Sequence, residues 1–159
     1  MFAGPNGSGK STLKLYLPPP LLGVYLNPDE LELAIRQKGF LDLSTYGVST
    51  TAEEALPFFT GSTLLAAAGL SSAAPQLSFA DGRVMFGGVE GNAYFASVAS
   101  DFLRQKLLDH KVTFTFETVM SHPSKVNLLA QAQAAGYRTY LYFVATDDPT
   151  INISRVRNR

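Results

Sequence analysis

Gly4-Pro5-Asn6-Gly7-Ser8-Gly9-Lys10-Ser11-Thr12 is the stretch whose reading decides the rest of the chain. It satisfies G-x-x-x-x-G-K-[ST] at every required position, the pattern of a phosphate-binding loop. Its glycines let the backbone turn tightly, so that successive N–H groups point inward and form an anion nest. Lys10 adds a full positive charge that reaches β- and γ-phosphates, and the Ser11 hydroxyl is a suitable Mg²⁺ ligand. A helix starting near Lys10 would aim its positive dipole end at the same phosphates. The segment Gly4–Thr12 is therefore expected to hold the phosphates of a nucleotide.

Working outward, only Met1, Phe2 and Ala3 precede the loop, where a buried strand of about five residues is the usual arrangement. The first strand is expected to be a clipped piece of a longer one. Downstream, Leu13 and Leu17 recur at helical spacing until Pro18-Pro19-Pro20, which is expected to end that helix. Gly23-Val24-Tyr25-Leu26 reads as a short buried strand. Asn27-Pro28-Asp29-Glu30 opens a helix containing Leu31, Leu33, Ala34 and Ile35, with Asn27 or Asp29 as its cap.

The last third repeats the alternation. Val112–Phe116 is a β-rich run ending in Glu117 and Thr118. Ser121-His122-Pro123 signals the start of a helix that runs through Val126, Leu129, Ala130 and Ala134 to Gly136. Arg138–Ala145 reads as a long strand whose apolar centre, Tyr140–Val144, predicts cover on both faces. The stretch 150–159 looks helical. Strands alternating with helices predict an α/β fold: a P-loop three-layer sandwich, mostly parallel, with helices on both faces of the sheet. Parallel strands are expected near 1–3, 24–26, 112–116 and 139–145, with the strand of Glu117 beside the one that feeds the loop.

Residues 44–100 read as an inserted helical and hairpin segment within a single domain spanning 1–159. Thr51–Leu70 has helical character interrupted at Pro57 or Gly61, and Asp81-Gly82 between two apolar runs is a hairpin signature. From Asn92 to His110, the positions Phe95, Val98, Phe102, Leu103 and Leu107 make one apolar helical face.

Bulk properties narrow the function classes. A 159-residue chain with 46% hydrophobic and 16% charged residues buries a real core. A formal net charge of zero without a basic run argues against nucleic acid as a partner. The absence of cysteine removes disulfides, thiolate metal sites and a cysteine nucleophile. No apolar tract is long enough to span a membrane and no secretory leader is visible, so a cytoplasmic location without membrane partners is expected.

Several residues are candidates for chemistry. Glu117, at the end of a hydrophobic strand, stands where P-loop proteins keep an acid near Mg²⁺ and the attacking oxygen, and Thr118 adds a hydroxyl beside it. Asp147 and Asp148 are rival acids, but beside Pro149 they read as helix starters. Asp29 either accepts a substrate hydroxyl's proton or serves as an N-terminal helix acid. Asn27 either fixes a turn or contacts substrate. Arg155, Arg157 and Arg159 form the basic cluster, with Arg155 and Arg159 sharing a helix face; Arg155 is the one expected to stabilise charge on a moving phosphoryl group. His110 and His122 are too far apart for a local metal motif, and Tyr25, Tyr140 and Tyr142 are expected to pack in the core.

As an ordered set, the loop Gly4–Thr12, Asn27-Pro28-Asp29-Glu30, Phe116-Glu117-Thr118, Gly136-Tyr137, Asp148-Pro149 and Asn152-x-x-Arg155-Val156 resembles the zeta-toxin group of P-loop kinases. That resemblance implies ATP-dependent, Mg²⁺-assisted phosphorylation of a small-molecule hydroxyl, in that group one of a UDP-amino sugar. By resemblance Lys10 holds phosphates, Ser11 the metal, Asp29 the acceptor hydroxyl, Glu117 and Thr118 the substrate, and Arg155 the transferred phosphate. A protein antitoxin is an implied partner if the chain is a toxin. The group continues to a second phosphate-binding arginine, a lid and a further strand beyond the position of Arg159. Residues 44–100 have no counterpart in the toxins, which suggests a branch with its own acceptor. A P-loop ATPase or nucleotide-dependent switch is the competing class, and a nucleotide-binding remnant with structural duties the third.

Overall fold

A computed structural model describes residues 1–120 and 123–158. Among these residues the strands are β1 (Phe2–Ala3), β2 (Val24–Leu26), β3 (Phe40–Asp42), β4 (Ser78–Ala80), β5 (Arg83–Met85), β6 (Phe114–Thr118) and β7 (Tyr142–Phe143). The α-helices are α1 (Pro19–Leu22), α2 (Pro28–Lys38), α3 (Ala52–Thr60), α4 (Thr63–Ala67), α5 (Ala93–Asp109), α6 (Ser124–Ala134) and α7 (Pro149–Arg157). The chain divides into two compact units, Met1–Tyr25 with Lys111–Arg159, and Leu26–His110.

The first unit is α/β, built on a four-stranded parallel sheet of order β2-β6-β1-β7 flanked by helices; the last residue of β2, Leu26, is grouped with the second unit. Phe2 and Ala3 are fully buried because β1 is internal to the sheet. Phe2 pairs with Glu117 and Ala3 with Thr118 on one side, and with Tyr142 and Phe143 on the other. The expected adjacency of the Glu117 strand and the loop strand is thus observed. Glu117 and Thr118 lie within β6 rather than after it, because β6 starts two residues later than its composition suggested and keeps pairing with β1 to its end.

Four expectations are corrected here. The helix after the loop is a six-residue 3₁₀ turn, Lys10–Leu15, in which only Lys10 is buried. Helices of this size depend on burying an apolar face, and Leu15 and Tyr16 instead face solvent. The prolines do not simply end it: Pro18 caps α1 and Pro19 opens it, since a fixed φ suits a first helical turn.

The long, doubly covered strand over 139–145 is two residues of β7 at the sheet edge. Its one neighbour, β1, offers Met1–Ala3: Tyr142 N donates to Met1 O (3.0 Å) and Val144 N to Ala3 O (2.8 Å). Tyr140, Leu141, Tyr142 and Phe143 stay exposed, so Tyr140 and Tyr142 are not core residues. On α6 the buried positions are Leu128 and Ala132, whereas Val126, Ala130 and Ala134 face outward. Gly136 (φ 89°) follows its last turn as expected, and the helix-start residues Ser121 and His122 lie outside the described residues.

In the second unit α2 and α5 pack together and bury Leu31 and Ile35 from α2, and Phe95, Ala99, Phe102, Leu103 and Leu107 from α5. The apolar face read for α5 is buried at all five positions, and Asn92 caps the helix through its side-chain oxygen. The antiparallel sheet β3-β5-β4 contains the expected hairpin, with Asp81 (φ 51°) and Gly82 (φ 74°) both left-handed as a tight two-residue turn demands. β3 was not anticipated; three residues are too few to show a period. α3 continues through Pro57 and breaks at Gly61-Ser62, where Ser62 caps α4. Among the described residues no helix is long and apolar enough to cross a membrane.

Candidate functional site

Gly4 carries the chain from β1 into the loop, its N–H donating to Thr118 O (3.2 Å) at the end of β6. Its φ is 144°, and a Cβ there would lie 2.1 Å from the carbonyl oxygen of Val144, just past β7. Gly7, at φ 78°, is crowded likewise: its Cβ would lie 2.5 Å from Asn152 O on α7. These two positions require glycine because the loop is clasped between the β7 exit and α7.

The Lys10 side chain folds back into this loop. Its ammonium donates to Gly4 O (2.8 Å) and Pro5 O (2.9 Å), and the residue is 7% exposed. From the far end of the chain, Arg155 on α7 donates through Nη1 to Gly7 O (3.2 Å), across 148 residues of sequence. Two cations thus meet one nine-residue turn. Ser8, next to Gly7 in sequence, and Asn152, whose backbone crowds Gly7, each carry a buried side-chain oxygen, Oγ and Oδ1, with no hydrogen-bond partner among the described residues. A buried polar group left unpaired costs about 1–3 kcal/mol, and of the two only the Ser8 hydroxyl has a proton to donate to an anion.

The dipole contribution is smaller than expected, because a six-residue 3₁₀ turn aligns few peptide units. Ser11 is partly buried at the second position of that turn and Thr12 is exposed. On the adjacent strand, Glu117 is 8% exposed. Tyr25 Oη donates to Glu117 Oε1, and Lys14 Nζ stands 4.8 Å from the centre of the Tyr25 ring. Tyr25, expected in the core, is a polar partner of the candidate acid. The available signal was its central position in β2, the strand next to β6. Thr118 uses its hydroxyl locally, accepting from Met120 N (3.0 Å) where the chain turns at φ 60°.

The other candidates take the following places. Asn27 is the cap of α2, its Oδ1 accepting from Asp29 N (2.9 Å), so the turn-fixing alternative describes its contact. Asp29 is exposed in the first turn of that helix, in the second unit. Asp148 caps α7 by accepting from Thr150 N (2.8 Å), and the bonds from Thr150 hold its carboxyl below the usual range. Arg157 is in the last turn of α7, and Arg159 lies outside the described residues.

Among the described residues no group of three or more His, Cys, Asp or Glu side chains could enclose a metal. The hydroxyl of Ser11 and the carboxylate of Glu117 are nonetheless hard oxygen donors of the kind Mg²⁺ takes, and that ion needs only one or two protein ligands beside phosphate oxygens. The donor chemistry fits Mg·ATP. No family model matches the chain, and no curated protein and no solved structure matches it.

Proposed function

We propose that the chain is a P-loop kinase of three-layer sandwich type that transfers the terminal phosphoryl group of ATP to a hydroxyl of a small molecule, as its resemblance to the zeta-toxin group implies. The observation that carries this reading is the convergence of Lys10 and Arg155, from the two ends of the sequence, on the Gly4–Thr12 loop. Charge in phosphoryl transfer spreads over several oxygens, and cations placed in advance around them lower the barrier. Gly4–Thr12 would cradle the phosphates through backbone N–H groups. Lys10 would trade its carbonyl contacts for phosphate oxygens, and Arg155 would lie against the same group.

Ser11 and Glu117 would hold Mg²⁺, which neutralises charge on the phosphate oxygens when bound. Tyr25 keeps the Glu117 carboxylate oriented. Thr118 and Asn27 are read as acceptor-side residues from the resemblance alone. The acceptor oxygen attacks the terminal phosphorus, the bond to the bridging oxygen breaks and ADP leaves; that the acceptor's proton passes to Asp29 is read from the sequence and the resemblance alone. A UDP-amino sugar is the acceptor class the resemblance implies.

The test is a radiolabelled γ-phosphate assay over a metabolite pool, with calorimetric titration of Mg·ATP. Label is expected on an organic acceptor. Label found only in inorganic phosphate favours an ATPase or switch, and no Mg·ATP binding favours a structural remnant. Lys10→Ala should weaken Mg·ATP binding by about ten- to a hundredfold, the loss of charge-assisted hydrogen bonds, with circular dichroism confirming the fold. Asp29→Asn should keep that affinity and lower turnover by about 10²–10⁴. Equal loss of both in Asp29→Asn would make it structural.

A further inference from the structure

A cavity of about 510 Å³ opens in the first unit, against the strands but away from the loop: none of Gly4–Thr12 lines it. Its floor is β6, through Phe114 and Phe116, and one wall is α6, through Leu128 and Ala132. These are the side chains that α6 and the sheet turn toward each other, and they leave the space between them open. The volume lies within the range of small-molecule sites, which are mostly apolar with a few polar groups that set orientation.

The polar groups here share one sign. Lys111 and Arg138 line the cavity and no aspartate or glutamate does. Both cations are exposed at its rim. Their segments are tied together, since Tyr137 Oη donates to Val112 O (3.1 Å) and the Tyr137 ring meets Phe114 edge-on at 6.3 Å. The two charges are therefore carried by adjoining stretches of backbone braced against the apolar floor.

We infer that this cavity binds a small amphipathic organic anion, with its apolar body on Phe114, Phe116 and Leu128 and its carboxylate, sulfonate or phosphate end between Lys111 and Arg138. A purely apolar occupant would leave the paired cations without a role, and an inorganic anion would leave the apolar floor bare. The inference does not depend on the kinase reading, because the two sites share no lining residue of the loop.

The experiment is calorimetric titration of the full chain with decanoate, and with decanol as the neutral counterpart. Saturable decanoate binding is expected, weakened about tenfold by either Arg138→Gln or Lys111→Gln, as loss of one charge-assisted contact predicts. Decanol binding should not respond to either substitution. Both residues are exposed, so the variants should fold, and an unchanged circular dichroism spectrum of each would confirm it. The assignment is overturned if decanoate and decanol bind alike and neither variant matters, if decanoate does not saturate, or if the chain binds phosphatidylglycerol vesicles but not free decanoate.

Discussion

In Leu26–His110 the largest apolar side chains turn inward, whereas in Met1–Tyr25 with Lys111–Arg159 many of them face outward. Leu31, Ile35, Phe59, Phe86, Phe95, Leu103 and Leu107 are essentially inaccessible in the former. Tyr16 (77% exposed), Phe143 (65%), Leu141 and Ile153 are open to solvent in the latter. The polar groups contrast as well. In the helical unit two ion pairs join elements, Lys106 on α5 with Glu54 on α3 (2.7 Å) and Arg83 on β5 with Asp42 on β3 (3.1 Å). In the sheet unit the cations Lys10 and Arg155 are turned onto backbone carbonyls of a turn. Apolar burial is the dominant favourable term in folding, so the helical unit is the better-stabilised part. In the sheet unit the best-placed polar groups converge on the Gly4–Thr12 loop, and regions that bind commonly come from the less stable part of a structure.

The sharpest test of that contrast is Phe95→Ala. Phe95 is fully buried and meets Phe86 edge-on at 5.5 Å. Truncation should cost about 3–5 kcal/mol, read as a lower urea midpoint. A loss under about 1 kcal/mol would break the comparison, because the core would not be the source of stability claimed for it.

Next in size is Gly4→Ala in the other unit. The substitution meets both a positive φ and a carbonyl oxygen 2.1 Å from the new Cβ, and should cost about 2 kcal/mol or more. Because the clash is with Val144 O, hydrogen exchange at the Tyr142 and Val144 amides should accelerate while α5 amides stay protected. Uniform acceleration across both units would show that they do not open separately.

The smallest effect is expected for Glu54→Gln. Hydrogen bonds from Lys106 and Thr50 lower the Glu54 carboxyl from 4.5 to about 2. A group with a depressed folded-state value contributes stability above its unfolded value and loses it as pH falls through the folded one. The stability difference between wild type and variant should therefore be constant at neutral pH, shrink below pH 4.5 and vanish near about 2. Exposure of the carboxylate keeps the effect small. A difference that persists at the lowest pH would assign the change to packing of the glutamate stem.

Features that depend on neighbours in sequence were legible without coordinates. Asp148 starts a helix, Asp81-Gly82 turns a hairpin and the five apolar positions of α5 are buried, because each follows from local geometry and one repeat. Over 139–145 the same approach failed. Apolar composition reports what a strand would prefer to bury, but only the sheet order places β7 at an edge with a single neighbour.

The candidate site divides along the same line. By itself the sequence determined the motif Gly4–Thr12, the acid Glu117 at the end of a β-rich run and the basic helix observed as Pro149–Arg157, each a property of composition and spacing. Only the tertiary structure decided that Tyr25 bonds to Glu117, that Lys10 turns onto the Gly4 and Pro5 carbonyls, and that Arg155 reaches Gly7 across 148 residues. The reason is physical. A turn, a cap or an amphipathic face is set by interactions within a few residues, whereas strand order and long-range contacts depend on the competition of all apolar surfaces for burial, which no local window contains.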